Sequence, residues 1–313
     1  MKVAITIVAV FSVVATIAFL FLPRKHMHGE TSSGFTNWVK DPENKRSAAE
    51  HFAALDAVNV PENISDAAIK KLVDSLFERK FDPFNKRRLE LLGRKAIPQL
   101  LAALEEPRTR TMTFADGSGF IRESPFARIC ELVGPHGSPA TVPSLTQFVD
   151  HPIEHFRRNA ALPLGNIGSA ECVPAITKLL DDDDDYVRSF AMIGIERGIR
   201  GKHCTPEFLS GIFPALVKLL NRPDKSVSGN APELLLIIDR ERAIPILLSP
   251  EYFSSQNTEL HYILRALNKA KCEVPLDQLR ALMVSVEQRS NEYPFSYIYA
   301  ECLIAYARKA EAG

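Results

Sequence analysis

The chain has no excess charge of either sign: 38 lysines and arginines face 38 aspartates and glutamates in 313 residues. A balanced chain has no global field with which to gather nucleic acid or an acidic substrate. Cysteine is sparse and scattered. Cys130, Cys172, Cys204, Cys272 and Cys302 are odd in number and never closer than 30 residues. Without a C-x-x-C there is no local support for a zinc cage or a redox pair, and thiols in apolar helical contexts read as small core residues. Catalytic signatures are missing as well. The sequence contains no G-x-S-x-G, H-E-x-x-H, Walker loop or dinucleotide fingerprint, and no cysteine with a histidine at a recognisable spacing. These absences argue against a small-molecule substrate and a resident cofactor.

Long apolar runs are also rare, with one exception. Val3 to Leu22 (VAITIVAVFSVVATIAFLFL) has no charge over 20 residues. As a helix such a run spans a hydrocarbon core of about 30 Å. It is longer than an ordinary signal-peptide core and ends without an Ala-x-Ala-like site, so it reads as an uncleaved, single-pass N-terminal anchor. The side of the membrane that holds the remainder stays open. Arg24, Lys25 and Lys40 favour a cytoplasmic C-terminal portion, and the absence of paired cysteines leans the same way. A two-residue tail bearing Lys2 is nonetheless a common start for an exported chain. Residues 24–44 read as a flexible linker. Within it His26, Met27, His28 and Glu30 are too few on a loose tether to hold a metal tightly, and Trp38, the one tryptophan, suits a membrane interface or helix cap.

The ordered domain is expected over residues 45–313. Ser65 and Asp82 read as helix N-caps, with Pro83 at the first helical position and Gly93 as a C-cap. From there the chain repeats itself. Val142, Pro143, Leu145, Phe148 and Val149 are answered 31 positions on by Val173, Pro174, Ile176, Leu179 and Leu180. Pro98, Pro214, Pro245 and Pro275 mark further first helices near 97–104, 213–220, 244–248 and 275–286. A fixed period in this range means stacked two-helix units. Gly134 and Gly137, matched by Gly165 and Gly168, suggest turns that need positive φ. Two places break the period: an insertion at 108–124 and a lengthened turn from Gly198 to Cys204. In the insertion, strand-like flanks around Ala115-Asp116-Gly117-Ser118-Gly119 predict a small β-hairpin. Loops of this kind project from one face and often bind, which makes Arg108, Arg110, Phe114, Phe120 and Arg122 a candidate interaction surface.

Charges fall in phase with the repeat. Asp150 precedes Arg157 by seven residues and Asp181 precedes Arg188 by the same interval, whereas Asn221 and Ser228 occupy these offsets in the fourth repeat. This pattern predicts an ion-pair ladder that fixes repeat register, with about 0–1 kcal/mol per exposed pair. The acidic run Asp181 to Asp185 lacks the glycine and alternation of a calcium loop, and it suits a helix cap. Arg79 to Arg110 is rich in basic residues, as solvated helix faces often are.

The runs VPSLTQFVDHPIEHFRRNAALPLGNIG and VPAITKLLDDDDDYVRSFAMIGIERG resemble HEAT repeats of the short, phycobilisome-lyase-like kind. The resemblance implies an all-α fold: a right-handed α-solenoid of antiparallel helix pairs, preceded here by the transmembrane helix. It also implies a surface that binds other proteins. Deoxyhypusine hydroxylase resembles this build but needs repeated His-Glu dipeptides for iron, and this chain has none, only Glu50-His51 and Glu154-His155 in reverse order. The combined expectation is a non-catalytic, membrane-anchored scaffold with a protein partner. It has no expected nucleic acid or small-molecule ligand, and its alternative is a HEAT-type lyase or a metal- or cofactor-binding enzyme.

Overall fold

The computed structural model describes residues 50–79, 82–115, 121–220, 230–254, 260–287 and 295–312. The expected membrane span, the linker, Phe120, Asn221 and Ser228 lie outside these residues. Among the described residues no helix is long and apolar enough to cross a membrane. The chain divides into two compact units, one of residues 1–63 with 82–91 and the other of 64–81 with 92–313.

In the first unit, helix α1 runs over 50–56. The second unit opens with α2, Asp66–Asp74, whose N-cap Ser65 accepts a hydrogen bond from the Ala68 amide. Back in the first unit, α3 is Pro83–Leu92. Asp82 caps it, accepting from the Phe84 amide at 2.9 Å. Proline at the first turn forfeits only an amide that has no helical partner there. Gly93 ends α3 with φ +53°, the left-handed conformation a C-terminal glycine supplies without strain.

The second unit is a stack of helix pairs. Its first helices are α4 (Ile97–Leu104), α7 (Val142–Thr146) and α9 (Val173–Leu180). Each begins with a branched residue followed by proline, and each is entered through a short 3-10 turn. Between α4 and the next long helix come α5 (Pro107–Thr111), β1 (Phe114–Ala115) and β2 (Ile121–Glu123). β1 and β2 pair antiparallel, with Phe114 opposite Glu123 and a register shift beside it; the turn expected between them lies outside the described residues. The second helices are α6 (Pro125–Val133), α8 (Glu154–Ile167) and α10 (Asp185–Arg200). α8 packs between α6 and α10, and α9 packs against α10. Leu104, Phe126, Leu145, Phe156, Ile176, Leu179 and Ile195 are fully buried between the layers.

Beyond α10 the helix starts shift. α11 is Pro206–Leu219, capped by Thr205, so it begins seven residues before Phe213 and holds Pro214 inside. The lengthened turn after Gly198 therefore supplies extra helix ahead of the repeat mark. Pro245 is likewise interior to α13 (Arg240–Leu247), which follows α12 (Ala231–Ile238). The stack ends in α14 (Leu260–Lys269), α15 (Leu276–Val286) and α16 (Phe295–Ala312), with α14 against both α12 and α16.

Glycine does two jobs at the centre. Gly168 alone of the four paired glycines has positive φ, +58°, and closes α8. Gly165 serves close packing instead. A Cβ there would sit 2.6 Å from the Ile195 amide nitrogen, and one at Gly194 would sit 2.5 Å from the Leu162 carbonyl oxygen. The backbones of α8 and α10 touch where both side chains are absent.

Candidate interaction surface

The turns between first and second helices line one edge of the stack, and most of the sequence-selected charges sit there. Asp150 bridges to Lys178 on α9, and Asp181 bridges to Lys218 on α11, at 2.6 Å. Each aspartate therefore reaches a lysine of the next repeat, and the expected pairing of Asp150 with Arg157 is replaced by this contact. Both bridges are exposed, where strong hydration and side-chain entropy leave little net gain. The lysines recur across the same 40-residue break as Pro174 and Pro214, a signal present in the sequence.

The arginines do different work. Arg157 donates from Nη1 to the carbonyl oxygens of His151 and Pro152, at 2.9 and 3.3 Å. Its remaining fork closes on the Asp182 carboxylate, Nε to Oδ2 at 2.8 Å and Nη2 to Oδ1 at 3.0 Å. Arg188 donates to the Asp182 carbonyl oxygen. Arg157 to His151 and Arg188 to Asp182 are the same bond, one repeat apart. The seven-residue Asp–Arg interval thus reflects an arginine that caps the open carbonyls of its own turn. Asp182 adds a link between repeats, and its hydrogen bond holds the Arg157 guanidinium above its ordinary pKa. Such bidentate, charge-assisted pairs are shorter and stronger than neutral ones.

Three members of the acidic run serve the turn itself. Asp181 caps the end of α9. Asp182 Oδ1 also accepts from the Asp184 amide at 2.9 Å, and Asp184 caps α10 by accepting from the Val187 amide at 3.0 Å.

The insertion is stapled at its root. The Arg108 guanidinium lies 3.8 Å from the Phe77 ring centroid and meets Glu106 and Asp74. Arg110 meets Gln147 and Glu105 and stands 5.4 Å from the Phe148 ring. Beneath it Phe126, Phe148 and Phe156 pack ring to ring, 4.2 Å between the first two centroids and 5.2 Å between Phe126 and Phe156. The His151 ring lies 4.2 Å from that of Phe156, tilted by 40°. Burial there lowers its pKa below the usual histidine range, and the nearby Arg110 and Arg157 push the same way. Phe114 and Arg122 fall on the hairpin strands.

One contact escaped sequence reading. Ser124 and His155, 31 residues apart, are fully buried and hydrogen-bonded, Oγ to Nε2 at 2.8 Å. The pair has the look of a nucleophile and its base, yet its protons run the wrong way. Arg158 Nη2 lies 2.9 Å from His155 Nδ1. A guanidinium only donates, so Nδ1 must accept and the neutral ring carries its hydrogen on Nε2. His155 therefore donates to Ser124, whose Oγ also accepts from the Ala127 amide at 3.0 Å. A serine nucleophile must give its proton to the ring. This joint fastens the N-terminus of α6 to α8. The five cysteines are free thiols, four buried and Cys204 half-buried. Burial pushes Cys204 and Cys302 up to about 12, away from thiolate chemistry.

A family model described as HEAT repeats matches residues 127–196, the segment from α6 to α10. No curated protein matches. Among solved structures, an engineered protein is 17% identical over 77% of this chain and 67% of its own, with a TM-score of 0.35. The complex of CpcE and CpcF of phycocyanin lyase from Nostoc sp. PCC7120 is 16% identical over 72% of this chain and 99% of its own, with a TM-score of 0.38.

Proposed function

We propose that the chain is a non-catalytic scaffold that binds another protein through the turn edge of its helix stack and is held at a membrane by Val3 to Leu22. The supporting observation is the division of labour along that edge. Asp150, Arg157, Asp181, Asp182 and Arg188 are bonded within their turn or to the next repeat, whereas apolar side chains at the starts of the second helices face solvent. Ile153, the N-cap of α8, is 39% exposed, and Tyr186, in the first turn of α10, is 56% exposed. A tyrosine and an isoleucine held beside a rigid Arg–Asp latch offer contact area with little ordering cost, as interface anchors do. The membrane part of the proposal rests on the uncharged run alone.

The test is capture with the full chain in mild detergent, comparing wild type with Tyr186→Ala and Ile153→Asp. A defined protein that wild type retains and both variants lose supports the reading. Equal recovery by all three rejects the edge as the site. Extraction of membranes at alkaline pH tests the anchor separately: the chain stays with the lipid if residues 3–22 span it, and is released if they do not.

A further inference from the structure

The turn that carries Ile153 is held by a histidine ring in one protonation state. Ile153 is the N-cap of α8, and as an isoleucine it brings no side-chain acceptor to that turn. His151 supplies one: its Nδ1 accepts from the Ile153 amide at 3.2 Å. An amide only donates, so Nδ1 keeps its lone pair and the neutral ring carries its hydrogen on Nε2. The ring is half-buried, 4.2 Å from the Phe156 centroid and 6.4 Å from that of Phe148. The carbonyl oxygen of the same residue takes Arg157 Nη1 at 2.9 Å. Ring, turn and the Arg157–Asp182 latch are thus joined through His151.

The charges that reach this turn come from every element packed on it. Arg110 on α5 stands over Phe148 and meets Glu105. Arg157 on α8 closes on Asp182, from the turn after α9. Asp150, next to His151, bridges to Lys178 on α9, and Glu154 follows in the first turn of α8 beside Arg157. Glu105, Asp150 and Asp182, which could offset a charged ring, already serve other bases. Burial opposes charge on the ring most, and Arg110 and Arg157 add to it, while the Ile153 backbone favours it. An amide that donates to Nδ1 cannot favour a protonated ring. That part falls to the Ile153 carbonyl oxygen, which already accepts from the Phe156 amide at 3.1 Å. Charging the ring therefore requires the turn to exchange its hydrogen bonds.

We propose that His151 is an acid-operated release for the turn edge. Protonation at Nδ1 removes the acceptor of the Ile153 amide and sets a positive ring beside Arg110 and Arg157, so the turn of residues 150–153 parts from the start of α8. This rests on the turn-edge reading and adds its regulation. With the ring neutral, Ile153 and the Asp182 latch hold the surface around Tyr186 in its binding form; with the ring charged, both leave their places. The His151 pKa lies below its ordinary value of 6.5 in the closed turn, so the edge is intact above 6.5 and opens as pH falls below it.

The test compares the full chain in mild detergent between about pH 7.5 and about pH 5.5, the window in which histidine titrates. Hydrogen exchange, corrected for the intrinsic effect of pH, is followed in residues 149–157 and in the buried stretch 159–167. Acid should remove protection from the first segment of wild type and leave the second protected. His151→Asn, whose amide oxygen can still accept from Ile153 and takes no charge, should stay closed at both values. His151→Lys, charged and without an acceptor, should be open at both. A protein captured by wild type near pH 7.5 should be lost near pH 5.5 and kept by His151→Asn. Equal protection of residues 149–157 at both values overturns the proposal, as does acid opening that persists in His151→Asn, or capture by wild type that is as strong in acid. If nothing is captured near pH 7.5, the turn-edge reading fails by its own test, and the exchange comparison alone decides whether His151 opens the turn.

Discussion

The centre of the stack and its C-terminal end solve the same packing problem with opposite results. From α6 to α10 each second helix has a neighbour on either side or a glycine-mediated crossing, and the turns within the α7/α8 and α9/α10 pairs are latched by an arginine and a lysine–aspartate bridge. At α16 the helix packs against both α14 and α15, is latched to α14 by Arg308, and still leaves Tyr297, Leu303, Ile304 and Tyr306 exposed. The comparison teaches that in this chain conspicuous charges serve the turns, while apolar side chains are left exposed where no such latch is made.

If that division is right, substitutions at the centre should cost more stability than those at exposed positions of α16. The largest effect is expected at Gly165. Gly165→Val forces side-chain atoms into the α10 backbone, and overpacking of this kind costs about 3 kcal/mol or more, read as a lowered denaturant midpoint. Arg157→Ala should follow, at about 2–3 kcal/mol, because it removes the guanidinium from the part-buried Asp182 carboxylate and from two turn carbonyls. Asp182→Ala should cost a similar amount, and the double variant should cost less than the two single values added, since the groups act as one latch. Ser124→Ala removes a cap and leaves the buried His155 Nε2 hydrogen without its acceptor, for about 2 kcal/mol in chemical denaturation. Leu303→Glu, at a position 45% exposed, should move the denaturant midpoint least of these.

A pH titration sharpens the contrast within the centre. His151 has a pKa lowered in the folded chain, so the unfolded chain binds protons more readily as pH falls through 6.5. The stability contributed by the neutral ring is therefore present above 6.5 and lost below it. His151→Asn should flatten that acid limb in a series of melting temperatures, and an unchanged limb would remove His151 from the account.

Much of the architecture was legible in the chain because a repeat writes its core twice. Pro98, Pro143 and Pro174 mark the openings of α4, α7 and α9, and the 31-residue spacing marks the depth of each pair. The reading failed where the same mark is used differently. Pro214 sits inside α11 because Thr205 caps an earlier start, and proline spacing carries no information about that added helix. The glycines were assigned to turns, yet Gly165 holds two helices together, a role visible only once α8 meets α10. Asp150 and Arg157 were matched by interval, whereas bonds follow the turn: the arginine takes carbonyls, which have no sequence signature, and the lysine comes from the next repeat. Ser124 and His155 stand one period apart, but a serine and a histidine at equivalent offsets look unrelated until burial brings them together.

The most direct test of the scaffold reading is photocrosslinking from position 186 in cells. A photoreactive residue replacing Tyr186 in the full chain should yield one protein adduct that disappears when Ile153→Asp is added, and the same residue at the exposed Lys202 should not yield it. An adduct pattern at position 186 no different from that at 202 would contradict the account.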